Sequence, residues 1–155
     1  MIRRAEHRDI PRLNELLFQV QGVHAAIRPD IFKTGAKKYT TEQLEAIIDD
    51  DMTPIYVYEV DGVIAGYAFC IYQVTQENTQ VFYRKVLYID DLCVDSAYRR
   101  RGIATTLYDY VIRTAAENGC HSVTLNVWNH NDEAQAFYRH MGMTPLKTTM
   151  EMQLK

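Results

Sequence analysis

The sequence predicts a mixed α/β fold (an α+β arrangement): a central, mostly antiparallel sheet with helices on both faces. Three observations predict it. Extended runs rich in β-branched and aromatic residues occupy 55–60, 63–71 and 81–94, and Asp61-Gly62 joins the first two as a two-residue hairpin turn. A helical apolar period follows at Ile103, Leu107, Val111 and Ala115. Another extended run, 122–128, comes after that helix, so the run ending at Val94 and this one form a crossover unit with parallel strands and right-handed sense.

Residues 2–5 form a short first edge strand. Asp9 is the expected N-cap of the first helix, with Pro11 tolerated in its first turn and Ile10, Leu13, Leu17 and Val20 on its apolar face. Pro29 disfavours helix at Arg28, so 22–32 is expected to bend. Thr40 and Gln43 make a capping box, and Leu44, Ile47 and Ile48 give the second helix its buried side. Asp49, Asp50 and Asp51 oppose the dipole at its end and mark a stop. The run 81–94 is long enough to bend or carry a bulge. Gly119 closes the third helix, Asn131 caps a fourth that stops at Gly142, and 148–154 is expected as a last strand with Met150, Met152 and Leu154 alternating.

Bulk numbers narrow the function classes. A chain of 155 residues is expected to form one domain, 1–155. A net charge of −3 argues against general nucleic-acid binding. Cys70, Cys93 and Cys120 are odd in number and sit in apolar or strand-like contexts, as expected of packed thiols in a cytoplasmic protein. The five histidines show no metal-ligand spacing, so no metal is expected. The charged start, Met1 to His7, lacks the apolar stretch of a secretory leader, and no run is long enough for a membrane span.

The stretch from Asp90 to Ala104 organises the chain. A strand ends in it, a helix begins in it, and between them lie Arg99, Arg100, Arg101 and Gly102. A helix N-terminus offers unpaired N–H groups and the positive end of a dipole. Cationic side chains there oppose the dipole, a misfit that a bound anion relieves. Glycine permits close approach of a ligand to the backbone. The turn therefore reads as a diphosphate cradle built on Arg99, Arg100, Arg101, Gly102, Ile103, Ala104 and Thr105.

Arg99, Gly102 and Ala104, after a strand ending in Asp91-Leu92-Cys93-Val94, resemble the acetyl-CoA-binding signature of the GNAT superfamily of N-acetyltransferases. Asn131, Ala134, Phe137, Tyr138, Gly142 and Met143 resemble that superfamily's second motif, with Met143 where Phe is commoner. The resemblance implies a GNAT-like fold in which two parallel strands splay at the cofactor site. It implies acetyl-CoA as cosubstrate, with its diphosphate on the turn and its pantetheine amides on backbone groups of Leu92 and Val94. Asn131 joins the cofactor site by the same resemblance, and an N–H of Leu92 or Cys93 is expected to face the thioester carbonyl.

Acetyl transfer to an amine also needs a proton acceptor and a donor for the departing thiolate. Tyr138, a phenol protonated at neutral pH, is the expected donor. Asp90 and Asp91 are the candidate bases, acting directly or through a water; strand alternation would let only one of them face the substrate. Asp90 has the position resembling the family's strand carboxylate. Cys93 lacks a neighbouring base and is not expected to carry an acyl group. His24, Arg28 and Asp30 are the candidate acceptor-binding residues, on a loop of mixed polarity. The acidic residues lean toward a small cationic amine as acceptor, with a protein N-terminus also open. The other reading is an acyl-CoA-binding module without turnover. The exposed-looking last strand suggests a homodimer.

Overall fold

The computed structural model describes residues Met1–Lys155. Its elements run β1 (Ile2–Arg4), a 3-10 turn (His7–Asp9), α1 (Ile10–Ile27), α2 (Thr41–Asp49), β2 (Ile55–Val60) and β3 (Val63–Thr75). They continue with β4 (Arg84–Val94), a 3-10 turn (Ser96–Tyr98), α3 (Ile103–Glu117), β5 (Ser122–Leu125) and α4 (Asp132–His140). The sheet order is β1-β2-β3-β4-β5, antiparallel except for the parallel β4–β5 pair. The expected mixed sheet is therefore present.

Helices cover both faces. Leu13, Leu16 and Leu17 of α1 and Leu44 and Ile48 of α2 pack with Ile55, Val57, Tyr67, Phe69 and Cys93 on one face. Tyr108, Val111 and Ala115 of α3 pack with Tyr56, Ala68, Cys70, Leu87 and Ile89 on the other. The apolar stripe of α3 that its spacing foretells is buried in full. Gly66 is what lets α3 come so close: a Cβ there would stand 2.8 Å from the Cys93 carbonyl oxygen and 3.3 Å from Ile103 and Leu107 side-chain carbons.

Local signals worked where the chemistry is local. Asp61 and Gly62 both take positive φ, as the tight hairpin requires. Thr40 and Gln43 cap α2 reciprocally. Asn131 caps α4 by accepting from the Ala134 N–H. Asp9 does otherwise. Its carboxylate accepts from Arg3 at 2.7 and 3.0 Å and from the Glu6 N–H at 2.8 Å, so it ties β1 to the 3-10 turn and makes no side-chain cap on α1.

Several boundaries differ from expectation: β3 runs on past 71 to Thr75, and β4 begins at Arg84 rather than at 81. Helix α1 continues through Gly22 to Ile27, and the bend starts at Arg28. β5 ends at Leu125, three residues before Trp128. The expected strand at 148–154 is absent: residues 143–155 have no regular structure and pair with no strand. A period-two pattern makes a strand only where a neighbouring edge accepts its hydrogen bonds, and none reaches this segment within the chain.

Candidate active site

The β4-to-α3 turn is fastened from beneath. Asp95 accepts from the Ala97 N–H at 3.0 Å and pairs with Arg12 of α1, whose Nε donates to the Ile64 carbonyl at 3.0 Å. The Ala97 N–H and then Arg12 hold the Asp95 carboxyl below the usual range, against its burial. The Asp95 N–H in turn donates to Ala65, the residue left over at the β2–β3 register shift. Above this anchor Arg100 and Gly102 take positive φ, 64° and 73°. The N–H groups of Ile103, Ala104 and Thr105 donate to no carbonyl of the chain. A Cβ on Gly102 would meet nothing within 4 Å. Arg99, Arg100 and Arg101 are exposed; Arg101 lies 5.2 Å over the Tyr98 ring and Arg99 is 3.9 Å from Glu133 at the start of α4. Open N–H groups, open space and positive charge coincide, which fits a diphosphate.

β4 carries one extra residue. Phe69 pairs Asp91 while Cys70 pairs Ile89, so Asp90 is a bulge. The expectation that only one aspartate faces the acceptor side is corrected here. The bulge interrupts the alternation and brings both carboxylates to the α1/α2 side, where Lys38 feels both. Asp91, 9% exposed, accepts from the Tyr67 hydroxyl at 2.7 Å. Burial raises its pKa despite the opposing pull of Lys38, Tyr67 and His24. Asp90 lies 3.5 Å from Lys38 Nζ and accepts from the Tyr39 hydroxyl at 3.5 Å.

The bulge coincides with the end of the parallel ladder. Strands β4 and β5 pair from Val86↔Ser122 to Ile89↔Leu125 and no further. Beyond that point Asp90 to Val94 have β3 on one side and a gap on the other. Tyr138 of α4 packs against Tyr108 and Phe137 on the α3 side of this gap. Burial, then the charge of Asp91, raises its phenol above the usual range, and no hydrogen bond contributes. It is a protonated hydroxyl without a protein acceptor, within the field of a carboxylate.

An aromatic wall stands on the acceptor side. His24 packs on Phe32 at 5.1 Å, and Phe32 meets Trp128 edge-on at 5.6 Å. Tyr39 stacks on Phe69 at 6.1 Å. Burial lowers the His24 pKa, with Lys38 assisting and Asp91 opposing, so its imidazole is neutral at physiological pH.

Residues 20–143 match the acetyltransferase (GNAT) family. The chain belongs to the GNAT family. A crystal structure of a mutant of the BH1408 protein from Bacillus halodurans superposes with a TM-score of 0.95 at 29% identity, covering 100% of this chain and 99% of that one. An aminoglycoside N-acetyltransferase, AAC(6')-Iy, solved with CoA, has a TM-score of 0.74 at 17% identity and covers 100% of this chain and 99% of its own. At that identity the likeness is one of fold. An uncharacterized N-acetyltransferase of Lactobacillus delbrueckii subsp. lactis is 25% identical over 115 residues, 74% of this chain and 65% of that protein. The match thus spans less than two thirds of that relative's length.

Within this GNAT fold the predicted residues divide. Asp90, Asp91 and Tyr138 flank the gap, and Leu92, Cys93 and Val94 line it from β4. The turn residues 99–105 form one open cradle, and Asn131 begins the helix that carries Tyr138. His24 lies within the field of Asp91. Arg28 and Asp30 pair with one another, at 2.8 and 2.7 Å, and Arg28 also meets Glu151 at 3.2 Å. Burial and then Asp91 push the Cys93 thiol up to about 12. Sequence reasoning missed Lys38, Tyr39 and Tyr67. No string marks them, because each reaches the carboxylates only through the fold.

Proposed function

We propose that this chain, 1–155, is an acetyl-CoA-dependent N-acetyltransferase that acetylates a primary amine by direct attack in a ternary complex. The observation that carries the reading is the gap beyond Ile89↔Leu125, with two carboxylates on one side and the free phenol of Tyr138 on the other. The CoA bound in AAC(6')-Iy supports the choice of cosubstrate.

The residues divide the work. The N–H groups of Ile103 to Thr105 and the three arginines hold the diphosphate. The free edge of Leu92 to Val94 aligns the pantetheine amides as an added strand would. Lysine-like ammonium groups titrate near about 10.4, so the acceptor arrives protonated. Asp91 or Asp90, directly or through water, takes that proton, and the freed amine forms the new C–N bond. As the C–S bond breaks, Tyr138 gives its proton to the departing sulfur, and the second proton that the nitrogen sheds as the amide forms returns the Tyr138 phenolate to phenol. The aminoglycoside enzyme solved with sisomicin shares the fold and illustrates an amine acceptor. The free thiols of Cys70, Cys93 and Cys120 support a cytoplasmic location, and the unpaired C-terminal segment supports a homodimer.

Thiol release from acetyl-CoA in the presence of an amine panel tests the reaction. Tyr138→Phe is expected to lower kcat by roughly 100-fold or more while leaving the acetyl-CoA Kd within about twofold, as loss of an acid should. Equal loss in both would remove Tyr138 from that role. CoA binding without thiol release from any amine would favour a non-catalytic acyl-CoA module.

A further inference from the structure

The acceptor side is less acidic than its sequence suggests. Both oxygens of Asp30 are taken by Arg28. Asp49 lies 2.8 Å from His7 and Asp51 lies 3.5 Å from Arg4. Asp50 turns its carboxylate onto the Met52 N–H at 2.9 Å, so Asp90 and Asp91 are the carboxylates at the gap. Even these are not free, for the Lys38 ammonium stands 3.5 Å from Asp90 and its charge reaches Asp91.

We propose that Lys38 decides the acceptor class: it is a built-in ammonium at the carboxylate pair, so the site takes a primary monoamine on an apolar or aromatic body and rejects polycations. This rests on the acetyltransferase reading above and deepens it. The reasoning is a charge count and a surface. Two carboxylates less one lysine leave room for a single positive charge. A second cationic group on the acceptor meets Lys38 as a like charge at short range. His24, held neutral by burial, adds no charge of its own.

The surface points the same way. The acceptor side presents the rings of His24, Phe32, Tyr39 and Trp128, with Phe69 buried beneath Tyr39. Lys38 lies 5.4 Å over the Tyr39 ring and Arg28 lies 5.9 Å over Trp128, so two of these faces already carry a cation. Both contacts are satisfied within the chain, and what remains for a ligand is apolar ring surface. Burial opposes the charge on Lys38, but Asp91 and Asp90 together with Tyr39 keep its pKa raised, so the ammonium persists through physiological pH.

The test compares kcat/KM for 2-phenylethylamine, spermidine and kanamycin in the wild type and in Lys38→Met, Lys38→Gln and Lys38→Arg. The wild type is expected to prefer 2-phenylethylamine. Lys38→Met and Lys38→Gln are expected to shift the spermidine-to-phenylethylamine ratio toward spermidine by about tenfold or more, while Lys38→Arg keeps the wild-type ratio. An unchanged ratio in both neutral variants, or the same shift in Lys38→Arg, overturns the proposal. Thiol release with none of the three amines overturns this proposal, while only silence across the wider amine panel overturns the acetyltransferase reading itself.

Discussion

Asp91 is a carboxylate kept in an unfavourable place. Burial raises its pKa, so the native protein holds that proton to a higher pH than the unfolded chain, whose aspartates titrate near about 3.9. Between those two values the native state binds more protons. Stability therefore falls as pH rises through that window, and the full cost is in place above it. Asp91→Asn removes the charge and keeps an oxygen to accept from Tyr67. It is expected to raise Tm at pH 7, with the gain fading toward pH 4, and a kcat drop of about 100-fold or more would assign the base to Asp91 rather than Asp90. A lower Tm than the wild type at pH 7 would show that the ionised carboxylate stabilises the fold. At this scale the sequence was informative about residue types with few bland roles. Paired aspartates near a strand end, and a tyrosine in a helix after an asparagine cap, stood out. Lys38 and Tyr39 precede a capping box and look like any loop pair, and Tyr67 looks like one more strand aromatic. Their role is a matter of what the fold sets beside them.

Among elements, the decisive one is the turn into α3. Its helix was legible because Ile103, Leu107, Val111 and Ala115 repeat on one face, and its open end because Gly102 follows three arginines. Gly102→Ala isolates the ligand's share. The left-handed conformation costs an L-residue roughly 1–2 kcal/mol, and the added methyl meets no protein atom within 4 Å. A modest stability loss of about 1 kcal/mol is expected with a CoA Kd raised about tenfold or more, measured by chemical denaturation and calorimetric titration. If affinity falls no further than the stability loss accounts for, the turn does not face the diphosphate. Two features of the neighbouring elements were not legible. The bulge at Asp90 depends on how β4 registers against β3, and the early end of β5 depends on how β4 departs once bulged. Val86 to Val94 and Ser122 to Val127 are apolar enough to pair throughout, so composition alone extends β5 too far. The gap that makes the site is a property of pairing between strands.

For the molecule as a whole, the unpaired residue set lies at the C-terminus. Leu146, Met150, Met152 and Leu154 are 74%, 86%, 82% and 89% exposed, the last three on alternate positions. The segment touches its own chain through Glu151 to Arg28 and Gln153 to Asp30, which leaves the apolar side chains outward. Each such side chain gains roughly 1.5–3 kcal/mol when buried, so a folded chain has reason to cover them. The same chain offers a matching edge, since β5 is the last strand of the sheet and pairs only on its β4 side. An arm and an open edge on every copy satisfy a two-fold arrangement, each copy giving and receiving once. We expect light scattering on the intact chain to report about twice its 18.0 kDa mass. Met150→Lys with Met152→Lys should leave the fold intact by circular dichroism and reduce the mass to that of one chain, because an alternating charged segment no longer gains by burial. A monomeric intact chain at tens of micromolar would rule out the exchange. So would a dimer that the two lysines leave unchanged, since the contact must then lie elsewhere than the arm.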